Sequence, residues 1–316
     1  MPRATLPLLL TCLPLAAQTV DATTAKLHAH LQAQLQAASP DDKLPVYFVL
    51  ADRLGYDHWF PRVWSMPLAE RRATVLRELQ QHAAKTQRVL LDYLAAERAA
   101  GNAGSAHSNW LGNFVAVEAT PMVILTAATD AAIAEVWFDH VPPREAVEDA
   151  APTPTFVGPQ PPPSPATSAP TALPPRVPGN GPTAVFADRV WAYGFEGQGV
   201  LVLNTDSGID QSPGYHADLA ANVWINPGEI AGNLIDDDNN GFVDDVNGWN
   251  FGTNTNALDD GGGHGTNTAG CIVANGTFNG TTYGMAPQAR LMTGALGGEA
   301  SQWAALQYGL LMGADV

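Results

Sequence analysis

Two residues of this chain have the types and the settings that a charge-relay hydrolase requires. Asp206 follows an apolar, strand-like run and precedes a Ser-Gly turn, so its carboxylate is expected at the carboxyl end of a parallel strand. His264 has glycine on both sides and stands at the predicted start of a helix. A histidine so placed can accept a proton from a hydroxyl group while a carboxylate holds its other ring nitrogen. The pair therefore indicates acid–base hydrolysis.

Each residue alone has a simpler explanation, because Asp-Ser-Gly is also good turn chemistry and a histidine at a helix start is often a surface cap. The surrounding motifs favour the functional interpretation. In chain order they are GVLVLNTDSGID (199–210), HADL (216–219), GGGHGTNTAG (261–270) and YGMAPQARLM (283–292). Their order and approximate spacing resemble those of the subtilisin-like serine proteases, the subtilases, over about residues 183–316.

This resemblance implies a fold and an activity. The fold expected is α/β, an incomplete parallel-sheet subtilisin-like catalytic domain preceded by a small α+β prodomain. Asp206 is then the catalytic aspartate and His264 the general base of an Asp-His-Ser triad that hydrolyses peptide bonds in protein or peptide substrates. The sequence departs from the family at Asn267, where a second histidine is usual, and at Ala217, where a proline is usual. Both are packing or turn positions.

The third member of the triad is expected outside the printed sequence. In the family the nucleophilic serine and the oxyanion-hole asparagine would follow Val316, so we expect this chain to be a fragment that is inactive as given. Ser301 is the last serine, and its position before an apolar-periodic run predicts a helix N-cap. Cys271 is expected to be a buried small apolar residue, although a Cys271–His264 thiol enzyme remains an alternative.

An acidic, glycine-containing insert between residues 226 and 251 predicts a cation site. The spacing of Asp236, Asp238, Asn240 and Gly241 matches the first half of an oxygen-ligand calcium loop, but Asn247 stands where the usual glutamate would be. The candidate ligands are Asp236, Asp238, Asn240, Phe242 through its carbonyl, Asp244 and Asp245. The resemblance supports Ca²⁺, since many subtilases carry it, and a merely solvated acidic loop is the alternative.

Composition and the first residues predict an exported protein. The chain has 316 residues and a net charge of −16, which disfavours nucleic acid and anionic membrane surfaces as partners. The apolar stretch from Leu6 to Leu15 and the small residues after it follow the order of a secretory signal peptide. No run reaches the roughly 18 apolar residues of a membrane span. We therefore predict a secreted protein, extracellular or periplasmic.

The pattern of elements predicts two domains around a linker. The first contains a strand at Leu44–Leu50, a long helix at Pro67–Arg98 and later strands at Asn113–Ala119 and Ala134–Asp139, whereas the second alternates strand and helix as parallel sheets do. We predict a signal peptide at residues 1–20, an α+β propeptide-like domain at 21–141, a proline-rich linker at 142–182 and the N-terminal part of a catalytic domain at 183–316.

The resemblance also suggests a role for the first domain. Secreted subtilases commonly carry an α+β propeptide that assists folding and covers the cleft, and Leu44 to His140 resembles such a unit in pattern and position. The expected function is thus a secreted, calcium-assisted subtilisin-like serine endopeptidase precursor whose partners include its own propeptide. An accessory domain without inhibitory role, and a non-catalytic calcium-binding pseudoprotease or binding protein, are the alternatives.

Overall fold

The computed structural model describes residues 23–139, 176–211 and 214–316. The predicted signal peptide and the predicted linker up to residue 175 lie outside these ranges. The chain divides into two units, Met1–His140 and Val141–Val316. The assignment of these units to a propeptide and a catalytic domain stays a prediction.

The first unit is an antiparallel sheet with helices. Its elements are α1 (Ala29–Ala37), β1 (Leu44–Leu50), α2 (Tyr56–Val63), α3 (Leu68–Thr86), α4 (Arg88–Ala99), β2 (His107–Asn109), β3 (Phe114–Ala119), α5 (Pro121–Ala128) and β4 (Ile133–Phe138). The strands pair in the order β2-β3-β1-β4. Val46, Phe48 and Leu50 of β1 contribute to a core with Leu31 and Leu94 from the helices.

The single long helix predicted at Pro67–Arg98 is wrong, because two helices meet at Gln87. This side chain is fully buried, and its amide donates to the Asn109 carbonyl at 3.0 Å and to Asn113 Oδ1 at 2.9 Å. The Thr86 hydroxyl donates back to the His82 carbonyl at 3.0 Å, a bond that bends helices. A buried amide must find such partners, and the two helices are separated at the residue that finds them.

The second unit is α/β, as the alternation of elements predicts. The elements are β5 (Val177–Pro178), α6 (Asn180–Ala184), α7 (Ala187–Trp191), β6 (Leu201–Asp206), α8 (Ala217–Ala220), β7 (Gly248–Asn250), α9 (His264–Val273), β8 (Thr281–Thr282), β9 (Arg290–Ala295) and α10 (Glu299–Leu311). Strands β6, β9 and β7 form a parallel sheet in that order, and β5 pairs in parallel with β8. The three-residue strand β7 was not predicted.

Residues 176–182, the last part of the predicted linker, contain a strand and the start of a helix in the second unit. Pro178 lies in β5 opposite Thr282, and Gly179 N donates to the Thr282 carbonyl at 2.8 Å. Pro182 lies in the first turn of α6. A short two-stranded pair and a first helical turn both tolerate a missing amide donor, which is why the two prolines in residues 176–182 do not prevent structure here.

Residues 314–316 are not assigned to a strand, although hydrogen bonds join them to β6. Asp315 N donates to the Leu201 carbonyl and Leu203 N to the Val316 carbonyl, both at 2.8 Å. Among the described residues, none of the helices combines the length and the apolar character that crossing a bilayer demands.

Candidate active site

Asp206 is the last residue of β6, so its carboxylate lies at the carboxyl end of a parallel strand. Oδ1 accepts a hydrogen bond from Ser207 N at 2.7 Å and lies 2.7 Å from His264 Nδ1, and Oδ2 accepts from Thr268 Oγ1 at 3.1 Å. Partial burial works against ionisation, but the bonds from His264, Ser207 and Thr268 outweigh it and lower the pKa of Asp206. The carboxylate is therefore charged at neutral pH and fixed in orientation.

His264 is the first residue of α9, with its side chain 61% exposed. The preceding Gly263 has a φ of +76°, a conformation that costs glycine little. Hydrogen bonding and charge attraction from Asp206 raise the pKa of His264, with a smaller contribution from the charge of Asp260. Because Asp206 occupies Nδ1, the neutral ring offers Nε2 as a base toward solvent. The structure thus brings together the two residues that the sequence paired.

A second carboxylate, Asp260, is hydrogen-bonded to neighbours of this pair and was missed by sequence reasoning. It accepts hydrogen bonds from both the backbone and the hydroxyl of Thr266, and from the Ser207 hydroxyl. Its position four residues before His264, ahead of a helix start, is the available sequence signal, since aspartate commonly satisfies the first amides of a helix.

Ser301 and Cys271 are not placed as the sequence suggested. Ser301 lies inside α10, whose N-cap is Gly298, and its hydroxyl accepts from Gly297 N at 2.8 Å and donates to the Gly298 carbonyl at 2.5 Å. The hydroxyl thus closes the turn before the helix, and the N-cap prediction is wrong. Cys271 is exposed rather than buried. The buried face of α9 is formed by Gly265, Ala269 and Val273, and Cys271 lies on the opposite face.

Comparison with known proteins agrees with this geometry, since the model of the subtilase family matches residues 197–308. This part of the chain belongs to the subtilase family. Both Asp206 and His264 lie inside this subtilase segment, residues 197–308, and so does the acidic insert.

Curated subtilases are similar to the chain over limited stretches. Subtilisin-like protease 1 of Plasmodium berghei (strain Anka) is 40% identical over 88 residues, which are 28% of this chain and 14% of that protein. Subtilisin-like protease 1 of Plasmodium falciparum (isolate 3D7) is 47% identical over 76 residues, 23% of this chain and 10% of that protein. The major intracellular serine protease of Bacillus subtilis (strain 168) is 34% identical over 116 residues, 36% of this chain and 30% of that protein. The chain spans less than a third of each relative.

The structure divides the predicted metal ligands of the subtilase segment into two groups. Asp238 and Asp245 lie close to each other and to Glu229, and one carboxylate oxygen from each of these three residues lies within 4.8 Å of the other two. Asp236 instead accepts from the amides of Asn240 and Gly241 at 3.0 and 2.8 Å. Asp244 likewise binds backbone amides in a neighbouring turn, at Gly232, Asn233 and Leu234. These two carboxylates shape the loop rather than face the cluster.

The other predicted ligands have mixed positions. The Asn240 side-chain amide donates to Asp238 Oδ2 at 3.2 Å and to Asp245 Oδ2 at 3.0 Å, so it borders the carboxylate cluster. The ring of Phe242 packs edge-on against Trp249 and Tyr308. Glu229 was not predicted, because it precedes the acidic run and reaches the cluster only through the path of the loop.

In the cluster formed by Glu229, Asp238 and Asp245, the last residue is buried and the other two are half-buried. Asp245 is fully buried, and burial raises its pKa despite hydrogen bonds from Tyr308, Asn240 and Asn226. Burial likewise raises the pKa of Glu229, whose Oε2 is buried without a hydrogen-bond partner among the described residues. Three carboxylates so close together are costly when all of them are charged.

Proposed function

We propose that the protein to which this chain belongs is a serine endopeptidase that hydrolyses peptide bonds in protein substrates. The observation that carries the proposal is the 2.7 Å contact between Asp206 Oδ1 and His264 Nδ1 at the end of a parallel strand. Membership of residues 197–308 in the subtilase family supports it.

The proposed chemistry follows from the state of each group. Asp206, ionised, holds Nδ1–H of a neutral His264, so Nε2 accepts the proton of a serine hydroxyl as that oxygen attacks the peptide carbonyl carbon. His264 then returns this proton to the leaving amine, which leaves an acyl-enzyme that water hydrolyses by the same steps. We propose that the serine and an oxyanion-hole donor come from a part of the protein outside residues 1–316, and that residues 1–316 alone are inactive.

The test uses the protein encoded by the continued reading frame. We expect it to cleave a peptide substrate and to react with a fluorophosphonate, and we expect His264→Ala to lower kcat by about 10⁴-fold or more. The chain 1–316 should do neither. A continued frame without reactive serine would contradict the proposal and favour the binding-protein alternative. A His264→Ala protein as active as the wild type would contradict the proposed role of His264.

We also propose that the protein is exported as a precursor in which residues 21–141 act as a propeptide. The separate α+β core of the first unit supports this role, as does the signal-like order of residues 1–20. Sequencing the N terminus of protein recovered outside the cytoplasm tests export. A protease site placed within residues 142–175 of the whole protein tests inhibition: activity should rise after cleavage and removal of the first unit, whereas constant activity would indicate an accessory domain.

For the acidic insert we propose a structural Ca²⁺ held by Glu229, Asp238 and Asp245, with Asn240 beside them. When bound, the cation would neutralise three carboxylates and stabilise the loop. The unpartnered Glu229 Oε2 supports this ligand set.

Calorimetric titration of the chain tests whether this carboxylate cluster binds Ca²⁺. We expect Asp238→Asn to weaken Ca²⁺ binding by at least about tenfold. Asp237→Asn is the matched control, because that carboxylate accepts from Ile230 N and Asn233 Nδ2 and is outside the cluster. Absence of heat with Ca²⁺, or equal weakening by both variants, would contradict the proposal and favour a solvated loop.

A further inference from the structure

We propose that Asp260 is a positioning residue, which holds the end of β6 and the start of α9 in the register that lets Asp206 bond His264. Its catalytic meaning rests on the proposed function, whereas its positional role rests on contacts alone. Asp260 itself has no hydrogen bond to His264 among the described residues, so it acts through its neighbours.

One oxygen of Asp260 secures the helix that begins with His264. Oδ2 accepts from Thr266 N at 2.8 Å and from Thr266 Oγ1 at 2.7 Å. The N-cap residue, Gly263, has no side chain to satisfy these first amides. Asp260 therefore supplies the capping acceptor from outside the helix, and its negative charge lies at the positive end of the α9 dipole.

The other oxygen secures the strand that ends with Asp206. Oδ1 accepts from Ser207 Oγ at 2.8 Å, while the same Ser207 hydroxyl accepts from Gly265 N at 2.9 Å. The Ser207 backbone amide donates to Asp206 Oδ1 at 2.7 Å. A chain of hydrogen bonds thus runs from Asp260 through Ser207 to the carboxylate that holds the imidazole, and a branch reaches the amide next to His264.

The same carboxylate fixes the glycine turn before the histidine. Oδ1 also accepts from Gly262 N at 3.2 Å and Gly263 N at 3.0 Å. Three successive glycines have little conformational preference of their own. Their order here therefore depends on an external acceptor, and Asp260 is that acceptor.

The charge of Asp260 persists over the range in which the dyad would work. Burial opposes ionisation, but the bonds from Thr266, Ser207 and Gly262 outweigh it and lower the pKa of Asp260 to about 2. The charged groups that act on His264 are Asp206, from β6, and Asp260, from the turn before α9. A positioning role predicts an effect on the Asp206–His264 bond, beyond simple attraction between Asp260 and the imidazolium.

The experiment measures the His264 titration by NMR in the histidine-labelled chain 1–316, with His264→Gln to assign the signal. Asp260→Asn should lower the pKa of His264 by about half a unit or more toward the ordinary value of about 6.5. Exchange of the Thr266 amide should accelerate by about 5- to 30-fold, which corresponds to the 1–2 kcal/mol of a lost cap. Asp259→Asn, which removes the same charge from the adjacent exposed residue, should change neither.

A second pair of variants separates positioning from simple charge attraction. In an Asp206→Asn background the further change Asp260→Asn should shift the His264 pKa less than it does in the wild-type background. Equal shifts in the two backgrounds, or an Asp260→Asn titration like that of Asp259→Asn, would overturn the proposal. If Asp260→Asn does not fold, Ser207→Ala breaks the same link and must lower the His264 pKa.

These measurements do not depend on peptidase activity. A whole protein that lacks activity would contradict the proposed function and leave the positional result standing. An active protein in which Asp260→Asn leaves the His264 titration unchanged would support the proposed function and contradict the positional role of Asp260.

Discussion

Gly265 packs so closely on Gly208 that a β-carbon at Gly265 would lie 2.2 Å from the Gly208 carbonyl oxygen. Gly208 follows the end of β6 by two residues, and Gly265 is the second residue of α9. This backbone contact brings the helix start against the strand end, and it is the reason that the side chains of Asp206 and His264 can meet at 2.7 Å.

We therefore predict that Gly265→Ala separates the pair. The added methyl group meets backbone atoms that cannot rotate away, so we expect a loss of about 1–3 kcal/mol of unfolding free energy together with a fall of the His264 pKa. Gly270→Ala is the matched control in the same helix, because nothing lies within 4 Å of its β-carbon position. That change should be neutral or stabilise the chain by up to about 1 kcal/mol. Urea unfolding measures both, and equal stabilities would refute the close-contact argument.

The Asp206–His264 bond predicts a pH dependence of stability. The folded-state pKa of His264 is raised, so its contribution is complete below the unfolded pKa of about 6.5 and disappears as pH rises through the higher folded value. In Asp206→Asn this dependence should vanish. Unfolding free energies of both proteins between about pH 5 and 9 check the sign, and a wild-type advantage that grows with pH in this range would be inconsistent with it.

Tyr308 anchors helix α10 to the acidic insert. Its hydroxyl donates to Asp245 Oδ2 at 2.6 Å, and both residues are buried. Tyr308→Phe leaves a buried carboxylate with one donor fewer and should cost about 1.5–3 kcal/mol in the absence of Ca²⁺. Tyr283→Phe, at a residue that is exposed, should change the unfolding free energy by less than about 0.5 kcal/mol. Comparable losses in the two variants would argue against the Tyr308–Asp245 bond.

Arg176, directly before β5, is bonded to two distant parts of the second unit. Its Nε donates to Glu196 Oε2 and its Nη1 to the Asn275 carbonyl, both at 2.8 Å, and the two ionic side chains are largely buried. Arg176→Ala leaves Glu196 buried without its cation and should cost about 3 kcal/mol or more. Arg189→Ala, on the exposed surface, is the control and should cost less than about 1 kcal/mol. Thermal unfolding of the chain measures both changes, and equal melting temperatures would contradict the anchoring role.

Patterns of short range were predictable from the sequence. The strand Leu44–Leu50 has the predicted bounds, because the β-branched and aromatic residues at 46–49 favour a strand through their own local preference. The α/β character of the second unit and the start of α9 at His264 follow for the same reason. The break between α3 and α4 at Gln87 was not predictable in this way, since the partners of Gln87 are Asn109 and Asn113, which lie more than twenty residues away.

By itself, the sequence determined the chemical types of the site: an aspartate after a strand, a histidine at a helix start and an acidic loop, each recognisable from neighbours in the chain. Only the tertiary structure decided which of these groups meet. In the structure Asp260 accepts a hydrogen bond from Ser207, the neighbour of Asp206. Glu229, and neither Asp236 nor Asp244, lies with Asp238 and Asp245 in the carboxylate cluster. Cys271 is exposed. The physical reason is that hydrogen bonds and charge interactions act over a few ångströms in space, whereas sequence spacing records only distance along the chain.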